Sequence, residues 1–192
     1  MPPKVKITKN DITYTAVDLI RKNGYEALNT RNIAKELNCS TQPIFSNFTS
    51  MEELEKDVFL HAYNIYLKFI ENEIASNKYP KYKAFGMAYI RFAKDEKELF
   101  KLLFMSDRNG KDFIPTVDYD QSIQIIMQAN EVSKDVATKI HLEMWAFVHG
   151  IAAMSATSFL TFDWDLISDM VTDVYQGIRI RHSSKEKQND SN

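Results

Sequence analysis

Apolar residues recur along this chain at three- and four-residue steps, the period of an α-helix that buries one face. Ile12, Ala16, Leu19 and Ile20 form the first such stripe. Thr8, with Asp11 three residues on, has the spacing of a helix-starting cap. Gly24 ends the stretch, as a residue that takes left-handed backbone angles at little steric cost. After a connector at 25–28, Asn29 or Thr30 caps a second helix over 31–37, with Ile33, Ala34 and Leu37 facing inward. Asn38-Cys39-Ser40 reads as a tight turn, because asparagine tolerates the left-handed region better than most residues. Ser40 caps a third helix over 41–48, with Pro43 in the first turn, where a missing N–H is tolerated. Ser50 with Glu53 opens a long fourth helix, about 51–76.

Beyond a hinge at Pro80 the same period predicts helices at about 81–94, 96–105, 118–131, 134–160 and 164–181, with a loop over 107–116 that holds Gly110 and Pro115. No stretch alternates as a strand does. The expected fold is therefore all-α. A three-helix helix-turn-helix domain occupies 1–50, and a helical bundle occupies 51–181, with the fourth helix linking the two. A polar tail, 182–192, is expected to be disordered. The last two long stripes suit a four-helix bundle across a two-fold axis, which makes the chain a homodimer. Ile140, Phe147, Ile151, Met154, Met170, Val174 and Ile178 are its expected interface.

Composition narrows the class. Hydrophobic content of 44% and charged content of 26% are ordinary for a globular chain, and five Gly with five Pro are few for many tight turns. A single cysteine, Cys39, excludes an internal disulfide framework and fits a reducing compartment. Residues 1–10 lack the apolar run of a signal peptide, and the most apolar stretch, 146–160, is too short to span a bilayer. A cytoplasmic protein without membrane association is expected. The net charge of −2 is unevenly spread: residues 1–50 hold seven Lys or Arg against four Asp or Glu, a surplus of three positives, so the remainder carries −5. A basic head on an acidic body points to a DNA-facing N-terminus.

Two helices joined by a three-residue turn let the second lie in a major groove, which admits one α-helix. On the third helix Thr41, Gln42, Phe45, Ser46 and Asn47 face outward. Gln and Asn pair with adenine edges, and Thr can bond a base or touch a thymine methyl. At this point the chain resembles a family. Ile12, Gly24-Tyr25, Thr30, Ile33-Ala34, Leu37, Ser40, Ile44-Phe45, Phe48, Ser50 and Glu52-Glu53-Leu54 stand in the register of the TetR N-terminal domain over about 45 residues. Trp145-Ala146-Phe147-Val148-His149-Gly150 is similar to a Trp-x-x-x-His-Gly stretch in one branch of that family. The resemblance implies an all-α homodimeric regulator, typically a repressor, that binds a palindromic double-stranded operator and leaves it when a small molecule binds. The candidate DNA contacts are the outward set with Lys9, Thr30, Arg31, Ser40 and Thr49. The chain departs from the family where Asn38 replaces a turn Gly, Met51 replaces a frequent Lys, and Phe45 replaces a Tyr whose hydroxyl meets a phosphate.

The larger domain is rich in aromatics, and a mostly apolar pocket among bundle helices is a common ligand site. Tyr89, Phe92, Phe104, Trp145 and His149 are the candidate lining for a mostly apolar effector. His141 and His149 lie eight residues apart, about 12 Å along a helix, too far to share one metal. Neither metal nor cofactor is expected, and no spacing marks a catalytic triad, so the chain is not read as an enzyme. A second reading stays open: a small all-α ligand-binding or carrier protein that keeps the helix-turn-helix without reading DNA.

Overall fold

The computed structural model describes residues 7–107 and 117–189. The N-terminal part of the basic arm, with Lys4 and Lys6, most of the expected loop at 107–116, and residues 190–192 lie outside the described residues. The helices are α1 (Lys9–Asn23), α2 (Thr30–Glu36), α3 (Gln42–Asn47), α4 (Met51–Ala75), α5 (Lys81–Asp95), α6 (Lys97–Phe100), α7 (Val117–Asn130), α8 (Lys134–Ala156) and α9 (Trp164–Asn189). A 3₁₀ turn fills Tyr25–Ala27, and a π-helical turn continues α6 over Lys101–Met105. Among the described residues there is no strand.

Two compact units result. The first joins the chain up to Tyr66 with a later piece beginning at Glu96; the second holds Leu67–Asp95 and the C-terminal helices. Helix α4 thus starts in the first unit and ends in the second.

In the first unit the start of α1 is closed by a reciprocal cap. The Asp11 N–H donates to Thr8 Oγ1 at 3.2 Å, and Asp11 Oδ2 accepts from the Thr8 N–H at 2.8 Å. The Thr8 hydroxyl, which donates to Asp11 Oδ2 at 2.7 Å, and then the Thr8 N–H hold the Asp11 carboxyl below its usual range. Gly24 takes the positive φ expected of it, +79°, but its ψ of 174° is extended rather than left-handed, and the chain turns into the 3₁₀ segment. Asn29, not Thr30, caps α2, accepting from the Asn32 N–H at 2.9 Å. Asn38 in the turn has φ +50°, in the left-handed region. Ile12, Ala16, Leu19, Ile20, Ile33 and Ala34 are buried as their spacing predicts, Leu37 is half-buried, and Ile44 and Phe48 are buried with them. Helix α6 packs on α1 and adds Leu99 and Phe100 to the buried set, and the π-helical turn adds Leu103.

In the second unit α8 packs against α5, α7 and α9. Gly86 lies where α5 meets α8: a Cβ there would stand 3.4 Å from a Val148 methyl, in ordinary contact. Ile123, Ile126, Ala137 and Ile140 make a buried cluster edged by Tyr82 and Tyr175. Two helix ends differ from the periodicity. Helix α8 stops at Ala156, because Ser158 turns left-handed at φ +56° and the Phe159 N–H folds back to the Met154 carbonyl at 3.0 Å. Helix α9 continues past residue 181 to Asn189; His182 is buried, with Nε2 2.7 Å from Glu143 Oε1. A docked imidazole at the expected start of the tail extends the helix there.

Candidate nucleic-acid interface

Helix α3 has six residues, too few to be stable alone. It is held by what it buries. Ile44 and Phe48 point into the first unit, 1% and 3% exposed. Its N-cap is Thr41 rather than Ser40, and the Thr41 side chain makes no capping bond, so Pro43 in the first turn and the buried pair fix its start. Gln42, Phe45 and Ser46 are left outward, with Thr41 half-buried beside them. Ser46 Oγ donates to the Gln42 carbonyl at 2.9 Å, which leaves its lone pairs for a partner. Arg31, Ser40 and Thr49 are exposed and Thr30 is half-buried, all near the ends of these short helices.

Two expected contacts are spent within the unit. The Asn47 amide donates to the Pro43 carbonyl at 2.8 Å and to the Ile7 carbonyl at 3.4 Å, so its N–H groups are turned to the arm and not to a base. The Lys9 ammonium lies 2.9 Å from Glu53 Oε1 and 3.0 Å from Asp57 Oδ2, and 4.7 Å from the centre of the Phe48 ring. It ties α1 to α4 instead of reaching for a phosphate. Both signals lay in residue type, and each residue found a partner about 40 positions away in sequence.

Glu53 is the hub of that tie. Its Oε2 accepts from both the N–H and the hydroxyl of Thr49 at 2.8 Å, while its own N–H donates to Ser50 Oγ at 3.2 Å. The cap of α4 therefore uses Thr49 where Ser50 alone was expected to complete it. The Thr49 bonds, with help from Lys9, pull the Glu53 carboxyl down to about 2. Its charged form is favoured by folding, so this contribution is full above the ordinary value of 4.5 and fades as pH falls towards about 2. Glu53→Gln should accordingly lower the melting temperature at neutral pH, and the gap to wild type should narrow below pH 4.5 and largely close near about 2. A gap that persists unchanged at the lowest pH would mean the carboxylate's charge is not what holds the cap.

One contact within the first unit escaped the sequence reading. Arg21 on α1 clamps Glu96 with Nε–Oε2 at 2.8 Å and N(η2)–Oε1 at 2.7 Å, and also reaches Asp18. The pair spans 75 residues and carries no local signal.

The expected effector lining is only partly brought together. In the second unit the Tyr89 hydroxyl lies 2.9 Å from His149 Nδ1, and the His149 ring stacks on Trp145 with centroids 5.2 Å apart. Burial pushes the His149 imidazole down, so the ring stays neutral near pH 7. Trp145, however, is 50% exposed and lies on an outer face of α8. Phe92 is fully buried, edge-on to Phe69, as core. Phe104 belongs to the other unit, against Tyr66 and Phe100. Among the described residues no group of His, Cys, Asp and Glu is arranged to hold a metal, and no helix is long and apolar enough to cross a membrane.

The expected interface residues divide as well. Ile140 and Ile151, at 0% and 1% exposed, are covered by their own chain and cannot meet a partner. Phe147, Met154, Met170, Val174 and Ile178 are half-buried. The apolar surface that α8 and α9 leave open carries Leu142, Trp145, Leu166 and Ile180.

Comparison with known proteins adds two family matches. Residues 12–58 match the model of bacterial regulatory proteins of the tetR family, and residues 82–174 match a tetracyclin repressor-like C-terminal domain. No curated protein sequence matches the chain. Among solved structures, a protein of unknown function from Rhodococcus sp. RHA1 superposes with a TM-score of 0.73 at 18% identity, covering 92% of this chain and 98% of its own. A TetR-like transcriptional regulator from the same organism gives 0.65 at 14% identity, with 92% and 96% covered. The TetR family protein ActR of Streptomyces coelicolor, in complex with (S)-DNPA, gives 0.55 at 15% identity, with 91% and 98% covered.

Proposed function

We infer that this chain, which belongs to the TetR family of transcriptional regulators, is a repressor that works as a homodimer on a palindromic operator and lets go when a small molecule binds. As a member of the family it is a DNA-binding regulator with a ligand-binding C-terminal domain. The observation that carries the reading is the outward face of α3, with Gln42, Phe45 and Ser46 uncovered on a helix whose other side is buried. The match of residues 12–58 to the DNA-binding domain of the family favours this reading over a carrier protein that keeps the helix-turn-helix without DNA to read. The protein acts by binding rather than by catalysis, in the cytoplasm, where the operator is.

The effector is a mostly apolar molecule held in the second unit, with the Tyr89–His149 pair as its polar handle. A neutral imidazole and a phenol supply one or two hydrogen bonds among aromatic walls, the usual balance of such sites. An effector that favours the DNA-free form must bind less tightly in the presence of operator, by the same factor. Helix α4, shared by the two units, is the covalent route for that coupling.

The test begins with selection of bound duplexes from a random pool, followed by challenge of the complex with fractionated metabolite extracts. Gln42→Ala should weaken binding to the selected duplex by about 1–3 kcal/mol with helical content unchanged. His149→Phe should keep DNA binding and lose release by the active fraction. A Gln42→Ala variant with unaltered affinity and sequence preference would remove that amide from base reading.

A further inference from the structure

The largest group on the outward face of α3 is not polar. Phe45 is 61% exposed, more than Tyr14 or Tyr25, the other exposed aromatics among the described residues of the first unit. Ile44 and Phe48 on the same helix are buried, so the apolar side of α3 is already satisfied and Phe45 is not part of it. Its ring is neither a donor nor a charge and has nothing to offer a phosphate oxygen. Asn47, which by residue type would read adenine, has its N–H groups turned to Pro43 and Ile7. What remains to face a base is the Gln42 amide, the Ser46 hydroxyl, the half-buried Thr41 hydroxyl and one phenyl ring, with Gln42 and Phe45 three residues apart and so neighbours on one helical face.

The floor of the major groove presents one apolar feature, the C5-methyl group of thymine, and phenylalanine is among the side chains that read it by contact. We propose that Phe45 is a specificity-determining residue that covers a thymine methyl in each half-site, so that this regulator requires thymine at a position where no hydrogen bond is made. The pairing rests on the reading of α3 as the groove-facing helix. It explains why an exposed aromatic ring stands where solvent would favour a polar side chain: bound to DNA, the ring and the methyl shield each other from water. Cytosine, which lacks the methyl group, presents a polar amino group nearby and is excluded by the same ring.

The methyl can be removed without touching any hydrogen bond by replacing thymine with deoxyuridine. The probe is the duplex that the full-length wild-type protein enriches from a random pool, with each thymine pair of its two half-sites changed in turn to deoxyuridine. Burial of one methyl-sized group predicts a loss of about fourfold per half-site, so about fifteenfold for both. At one symmetric position wild type should show this loss. Phe45→Ala should bind the thymine duplex more weakly and be indifferent to deoxyuridine there, while Phe45→Leu should keep part of the discrimination. Gln42→Ala should keep the deoxyuridine penalty in full, because its amide reads a different group. Enrichment of no duplex at all would overturn the DNA reading of α3 and this proposal with it. A duplex that is enriched yet indifferent to deoxyuridine at every position would overturn the proposal alone, as would a penalty that survives Phe45→Ala undiminished.

Discussion

Truncation of Ile44 to alanine is expected to abolish operator binding while the second unit stays folded. Ile44 is 1% exposed on a six-residue helix that packs on α1, and with Phe48 it is what α3 buries. Removing three buried carbons costs about 2–5 kcal/mol, a large share of the roughly 5–15 kcal/mol that stabilises a typical domain. Because α3 has no side-chain cap and is too short to persist alone, the loss falls on the one element that presents Gln42 and Phe45. Far-ultraviolet circular dichroism should show a small early transition that wild type lacks, followed by the main melt. Binding to the selected duplex should drop beyond detection at concentrations that saturate wild type. An Ile44→Ala protein with wild-type affinity would show that α3 is held by something other than its buried side chain.

Two substitutions on α8 should part company just as sharply. Trp145 is half-exposed and Ile151 is covered by its own chain. If the open surface that includes Leu142 and Trp145 joins two copies, Trp145→Glu removes a large aromatic anchor and buries a charge twice, once on each side of the axis. An anchor of this kind is worth about 2 kcal/mol or more, so the dimer dissociation constant should rise by more than about thirtyfold. The variant should remain helical and behave as a monomer in sedimentation at concentrations where wild type is paired. Ile151→Glu should instead yield unfolded or insoluble protein, since it places an unpaired carboxylate inside the α8 core contacts. A Trp145→Glu protein that stays dimeric would move the interface away from this face.

The contrast also marks how far periodicity reaches. In α1 the apolar stripe is narrow and polar residues fill the rest of the helix, so Ile12, Ala16 and Ile20 had one side to bury and the structure buries it. Helix α8 is apolar on more than one side. Val136 to Met154 satisfies a helical period, but the period alone does not tell a side facing α5 and α7 from a side facing solvent or a second copy. Periodicity therefore assigns Ile140 and Ile151 to an interface although they are buried in their own chain, and Trp145 to a pocket although half of the residue is in solvent. Caps are legible at Thr8–Asp11 and at Asn29–Asn32, where donor and acceptor are three residues apart, but the same spacing at Ser133–Val136 and Asp163–Leu166 passes unread. The Lys9–Glu53 and Arg21–Glu96 ties are not legible, since the partners lie 44 and 75 residues apart, and Asn47, bonded to Pro43 in its own helix and to Ile7 in the arm, carries no local sign of either bond. The end of α8 was missed because its left-handed residue is a serine, where glycine is the usual sign.

The Arg21–Glu96 clamp has a further consequence, for how such proteins can be recombined. The first unit is not one continuous cassette; it is assembled from the start of the chain and from a second visit that begins at Glu96. Grafting residues 1–50 of this chain onto the body of a relative, the obvious way to exchange operator preferences, would leave Arg21 facing a foreign residue and Gly24 facing a foreign α6, whose Glu98 lies 3.4 Å from where a Cβ would stand. A faithful transplant carries α6 and its π-helical turn along with the helix-turn-helix. Lineages that shuffle their DNA-reading heads are under the same constraint: a crossover at the end of α3 separates residues that must be inherited together, so specificity in this fold is more readily altered by point changes on α3 than by exchange of the head.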